Sequence, residues 1–228
     1  MTTFFRAALI AALLVPASAQ AQAAPDWGNL AKYRDSDRAL AATADPRRIV
    51  FMGDSITEGW DHDKRGFFAD PHHVNRGISG QTTPQMLVRF RQDVIALKPR
   101  AVVILAGTND IAGNTGPASN EEIEGNIASM AELARANGIR VVLATLVPAA
   151  RYPWAPAADP ATRISQVNDW IRAYARRRGI ATVDFYRALA TPERGLPADL
   201  ASDGVHPNAK GYAIMERTIA TVLARVAR

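Results

Sequence analysis

"IVFMGDSITEGW", residues 49–60, opens as a β-branched apolar run and breaks off on a glycine, an aspartate and a serine. The run is the right length for a buried strand, and its abrupt end offers a hydroxyl just past the strand's carboxyl end. Similar runs recur at 101–106, 141–147 and 181–185, and a shorter one at 73–77. Between them the apolar spacing turns helical. Leu87, Phe90, Val94 and Leu97 share one face, as do Ile123, Ile127, Met130 and Ala134, and Ile164, Val167, Ile171 and Tyr174. Tyr212, Met215, Ile219, Val222 and Val226 mark a last helix, while Gly138 and Gly179 stand where two helices need a left-handed terminator. Alternating strands and helices imply right-handed crossovers. The expected fold class is therefore α/β, a parallel sheet of about five strands covered by helices on both faces.

The chain has 228 residues, enough for one sizeable domain. Its beginning reads as an export leader: Arg6 in a charged start, a short apolar stretch over 7–15, then small residues up to Ala19 and Ala23. Cleavage is expected after Ala19 or Ala23, leaving a single domain over 24–228. The apolar stretch is only about half the roughly 20 residues that cross a bilayer, so no stable membrane anchor is expected. There is no cysteine, which excludes a thiol nucleophile, a thiolate metal site and disulfides. The net charge of +5 is modest, and much of the basic excess is Arg172, Arg176, Arg177 and Arg178 near a helix end. That cluster reads first as a solvated helix face, and otherwise as an attraction to an anionic envelope polymer or membrane surface; nucleic acid is not an expected partner.

In a parallel sheet, ligands gather at the carboxyl ends of the strands. Asp54 and Ser55 leave the first strand at that edge, 107–110 ("GTND") leaves another, 77–80 ("GISG") follows the short strand, and 201–207 precedes the last helix. A serine hydroxyl needs a base and a group that orients the base. Among four histidines, two follow an aspartate by three residues: His206 after Asp203 and His73 after Asp70. His73 enters a strand and belongs to the far edge of the sheet, which favours Asp203 and His206. His62 and His72 read as surface histidines. Acyl transfer also needs donors for the developing oxyanion, and the N–H groups of Ser55 and Gly80 with the Asn109 amide are the candidates. Asp54 and Asp110 read as structural acceptors for loop N–H groups. The proline-rich loop 149–160, with Tyr152 and Trp154, is either a stiffened crossover or a wall of the site; Trp60, Tyr152 and Trp154 suit a sugar face or an acyl pocket equally.

The four blocks "GDSIT" from Gly53, "GISG" from Gly77, "GTND" from Gly107 and "DGVHP" from Asp203 resemble, in order and spacing, those of the SGNH hydrolases, or GDSL esterases and lipases. Ile56 replaces the leucine of the family name. The resemblance implies a flavodoxin-like three-layer α/β/α fold, Ser55 as nucleophile, His206 as base then acid, Asp203 as its orienting group, and an oxyanion hole from Ser55, Gly80 and Asn109. It implies ester hydrolysis without a cofactor, on substrates ranging from acetylated polysaccharides and short aryl esters to lysophospholipids and thioesters. With no long apolar lid segment between the blocks, the expected substrate is a short acyl ester, such as acetyl on a carbohydrate. Two readings from other classes stand beside it: a metal-dependent phosphoesterase using Asp54, Asp110, Asp203 and His206, and a non-catalytic envelope-binding module, for which Ser55, Asn109 and His206 need not meet.

Overall fold

The computed structural model describes residues 26–60 and 66–226. The leader expected over 1–23 and His62 lie outside the described residues. Five strands, β1 (Ile49–Gly53), β2 (His73–Gly77), β3 (Ala101–Leu105), β4 (Arg140–Ala144) and β5 (Ala181–Val183), form one sheet in the order β2-β1-β3-β4-β5, every neighbour parallel. This is the doubly wound, flavodoxin-like order, whose switch point lies between β1 and β3. Eight α-helices accompany the sheet among the described residues: α1 (Arg34–Ala41), α2 (Ser55–Gly59), α3 (Thr83–Asp93), α4 (Thr108–Ile111), α5 (Asn120–Ala136), α6 (Pro160–Arg178), α7 (Phe185–Leu189) and α8 (Ala209–Val226).

Alternation along each strand builds the three layers, because successive side chains point to opposite faces. Val50, Met52, Val102, Ile104 and Leu143 join the core with Met86, Phe90, Ile127 and Ile171, from α3, α5 and α6. Ile49, Phe51, Val103, Leu105 and Val142 join the other core with Phe185, Met215 and Ile219, from α7 and α8. Both faces of β1 and β3 are therefore buried, which is why those strands are apolar at every position rather than at alternate ones.

The spacing foresees most elements, with boundary differences that have local causes. The helix through Leu87 stops at Asp93: Val94 leaves helical geometry at φ −126°, and a single 3-10 turn, Ile95–Leu97, closes on Lys98 in the left-handed region. Strand β4 ends at Ala144, not Val147, and beyond it the Asn168 side chain takes over the backbone of Leu146, accepting from its N–H at 2.7 Å and donating to its carbonyl at 3.1 Å. In α8 Gly211, Met215, Ile219, Leu223 and Val226 are buried, while Tyr212 and Val222 pack half-buried against the same core, so Leu223 adds to the expected face. Gly138 and Gly179 take φ of +73° and +63°, as their terminating positions require. None of the helices among the described residues is long and apolar enough to cross a membrane.

Candidate active site

Strands β1, β2 and β3 end level with one another, Gly53 opposite both Gly77 and Leu105. Ser55 follows at the amino end of α2. Asp54 caps that short helix, its Oδ1 accepting the Ile56 N–H at 3.0 Å. Its Oδ2 is buried without a partner, and burial pushes the carboxyl up to about 6 against the opposing pull of the Ile56 N–H. The β2 end is packed against the same helix: a Cβ on Gly77 would lie 2.1 Å from the Glu58 backbone nitrogen. Glu58 then reaches forward to the next loop, accepting the Ser79 N–H at 2.6 Å and pairing on its other oxygen with Lys32.

That loop turns at Gly80. The Gln81 N–H returns to the Ile78 carbonyl at 3.2 Å, and Gly80 sits at the third position of the turn with φ +77°. A side chain there would be strained, so glycine is required by the turn itself. Beneath it lies the fully buried Arg89 of α3. Its guanidinium donates to Gln81 Oε1 at 2.6 Å, Asp93 Oδ2 at 2.8 Å, the Arg76 carbonyl at 2.8 Å and the Gly53 carbonyl at 3.0 Å. One cation thus ties the ends of β1 and β2 to the Gly80 turn.

Asn109 enters from β3 on the other side of the switch point and is buried. Its Nδ2 donates to the Gln81 carbonyl at 3.0 Å, and its Oδ1 accepts from Asn114 Nδ2 at 2.9 Å. Asp110 beside it is structural: both oxygens accept the Thr83 N–H, at 3.0 and 2.9 Å, which starts α3. Burial raises its pKa, and the bonds from Thr83 work against the rise.

His206 arrives from the loop before α8. Asp203 Oδ1 accepts the N–H groups of Val205 and His206 at 2.9 and 2.8 Å, a turn that leaves Oδ2 facing His206 Nδ1 at 2.6 Å. Burial raises the Asp203 pKa, but the bond from the His206 ring and those from the two backbone N–H groups outweigh it and hold the group below its ordinary value. An ionised carboxylate only accepts, so Nδ1 carries the proton and Nε2 is left as an acceptor. Nε2 lies 2.9 Å from Ser55 Oγ. Three side chains brought from two distant parts of the chain form one hydrogen-bonded relay that solvent reaches.

The other histidines are elsewhere. His73 Nδ1 meets the Phe67 carbonyl at 2.9 Å and His72 Nδ1 meets Asp45 at 2.9 Å, both at the opposite edge; Asp70 receives the His72 N–H rather than a ring nitrogen. The three aromatic candidates separate. Trp154, 44% exposed, holds its ring 5.9 Å from that of His206 and stacks on the buried Tyr152 at 5.1 Å. Trp60 does not face the site: it is 7% exposed, packed against Phe51, Phe67, Phe185 and Tyr212, with its ring N–H on Glu216. The expectation of a substrate contact is corrected for Trp60, which the end of α2 turns back into the core, and for Tyr152, 1% exposed beneath Trp154. No group of three or more His, Cys, Asp or Glu side chains among the described residues is placed to hold a metal ion.

Sequence reasoning did not find Glu58, Arg89 or Asn114. Asn114 had the faintest signal, a polar residue between Gly113 and Thr115 in a loop with no period to read.

The family model of the GDSL-like lipase/acylhydrolase family matches residues 51–214. A GDSL-like lipase from Bacteroides thetaiotaomicron of known structure is 43% identical, with a TM-score of 0.82 covering 88% of this chain and 99% of that one. An acetylxylan esterase from Geobacillus stearothermophilus is 31% identical over 153 residues, 63% of this chain and 68% of the relative. Another, from Xylanibacter ruminicola, is 26% identical over 227 residues, 80% of this chain and 44% of the relative. The chain spans about half the length of several curated relatives, between 44% and 56%.

Proposed function

The chain belongs to the GDSL-like lipase/acylhydrolase family, and we propose that it hydrolyses carboxylic esters through an acyl-enzyme formed on Ser55. The observation that carries this reading is the relay itself, Ser55 Oγ to His206 Nε2 at 2.9 Å and His206 Nδ1 to Asp203 Oδ2 at 2.6 Å. Ser55 attacks the ester carbonyl while Nε2 takes its proton, and Asp203 stabilises the imidazolium that forms. The carbonyl oxygen, now negative, is received by the N–H groups of Ser55 and Gly80 and by the second Nδ2 hydrogen of Asn109. The imidazolium then protonates the departing alcohol, and water repeats the path to release the acid.

The substrate is a short acyl ester, an acetyl group on a carbohydrate in the first instance. Similarity to two acetylxylan esterases supports this, and so does Trp154, an exposed flat ring beside His206 on which a sugar can stack. The protein acts after export, its leader removed after Ala19 or Ala23; the amino terminus of the secreted form, read by mass spectrometry, tests this.

The deciding experiment is the initial rate on p-nitrophenyl acetate for the protein and its Ser55→Ala variant, both in a metal chelator. Activity abolished by the substitution and untouched by the chelator is expected. Full activity in Ser55→Ala would refute the nucleophile, and loss of wild-type activity in the chelator would favour the metal-dependent alternative. A series of p-nitrophenyl esters then tests the acyl group: kcat/KM is expected to fall from acetate to octanoate, and a rise would point instead to lysophospholipids or long-chain thioesters.

A further inference from the structure

We propose that Asn114 is a positioning residue that, together with the Gln81 carbonyl, holds the Asn109 amide with its nitrogen toward the oxyanion; the assignment rests on the ester-hydrolase reading of the site. An asparagine side chain is nearly symmetric in shape, so its neighbours alone decide where oxygen and nitrogen lie. For Asn109 they leave one choice. The Gln81 carbonyl can only accept, and it takes one Nδ2 hydrogen at 3.0 Å. Asn114 Nδ2 can only donate, and it holds Oδ1 at 2.9 Å. The remaining Nδ2 hydrogen of Asn109 is the one available to substrate. Were the amide reversed, an oxygen would meet the forming oxyanion, and the transition state would lose a donor and gain a repulsion.

Asn114 also spans both halves of the hole. Its second amide hydrogen goes to the Gly80 carbonyl at 3.1 Å, so a single side chain joins the Gly80 turn to the Asn109 amide. It is itself held from behind: its N–H returns to the Asn109 carbonyl at 3.0 Å, and the neighbouring Thr115 hydroxyl meets that of Thr82 at 3.0 Å. Gly113 and Gly116, at φ +77° and +107°, bend the loop back so that Asn114 reaches this place. The residue is exposed on the rim, and its removal takes nothing from either core.

The test is a double-mutant cycle on p-nitrophenyl acetate: Asn114→Ala in the wild type and in Asn109→Ala, with kcat, KM and thermal midpoint measured for each. Asn114→Ala is expected to lower kcat about 10- to 100-fold with KM and midpoint nearly unchanged, and to add less than about a twofold loss when Asn109 is already alanine. Asn114→Leu, of similar volume but without donors, is expected to match Asn114→Ala. Wild-type kcat in either variant, or the same factor lost in both backgrounds, would overturn the assignment. Ser55→Ala run alongside separates the two levels. If it and Asn109→Ala lose rate while the Asn114 variants do not, the ester-hydrolase reading stands and this inference falls; if Ser55→Ala keeps its rate, both fall.

Discussion

Arg89 lies under the ends of β1 and β2 beside Ser55, and replacing it predicts a large, separable loss of stability. Its side chain is 0% exposed, it pairs with an Asp93 that is 1% exposed, and three more oxygens depend on it. Arg89→Met keeps the volume of the stem and removes every donor. A buried carboxylate left without its cation costs about 3–5 kcal/mol. Gln81 Oε1 and the Arg76 carbonyl lose a buried donor as well, at about 1–3 kcal/mol for a group left unpaired. The Gly53 carbonyl still accepts the Ile78 N–H at 3.1 Å and loses less. Allowing for relaxation, a total of about 4–6 kcal/mol is expected, a large part of the about 5–15 kcal/mol typical of a folded domain. Asp93 also crowds Asp37, whose carboxyl is pushed up to about 6 by burial in spite of the Arg76 guanidinium beside it. Removing both charges, as Arg89→Met with Asp93→Leu, should therefore recover at least about 2 kcal/mol. Urea unfolding followed by circular dichroism measures all three proteins. A single variant within about 1 kcal/mol of wild type, or a double variant no more stable than the single, would refute the account.

Gly77→Ala should yield little folded protein, because its Cβ would meet the Glu58 nitrogen at 2.1 Å and the Thr57 carbonyl carbon at 2.7 Å, both backbone atoms that cannot step aside; recovery of soluble protein with a wild-type unfolding midpoint would contradict the close packing of β2 on α2. Asp54 binds its proton more tightly folded, at about 6, than unfolded, at 3.8, so the folded state gains from it as pH falls. Its contribution should make the wild type about 1 kcal/mol more stable at pH 5 than at pH 7 relative to Asp54→Asn, which keeps an oxygen for the Ile56 N–H; parallel stability curves for the two proteins would remove the effect. Trp154→Ala should lower kcat/KM about 3- to 10-fold on an acetylated oligosaccharide, mainly through KM, and much less on methyl acetate; equal losses on both esters would argue that the ring orders His206 rather than binding the sugar.

What the sequence by itself determined was local. The layered fold followed from runs and periods, since a strand buried on both faces must be apolar throughout and a helix lying on it needs only one apolar stripe. The meeting of Ser55 with the pair Asp203 and His206 was legible too, because parallel strands send all their carboxyl ends to one edge, and any residue just past such an end is brought there whatever its distance along the chain. Asp203 and His206 share their spacing of three with Asp70 and His73, and it was their place past the last strand, at the carboxyl edge, that chose between the two pairs. The tertiary structure decided what depends on direction within that edge. Trp60 and Trp154 read alike in sequence, yet α2 turns the first into the core while the loop after β4 lays the second beside His206. Arg89 and Asn114 look like any surface arginine and any loop asparagine. Their partners, Gly53, Arg76 and Gln81 for one and Gly80 and Asn109 for the other, come from several different loops and strands. Hydrogen bonds select by distance and angle across the fold, and no period along the chain records them.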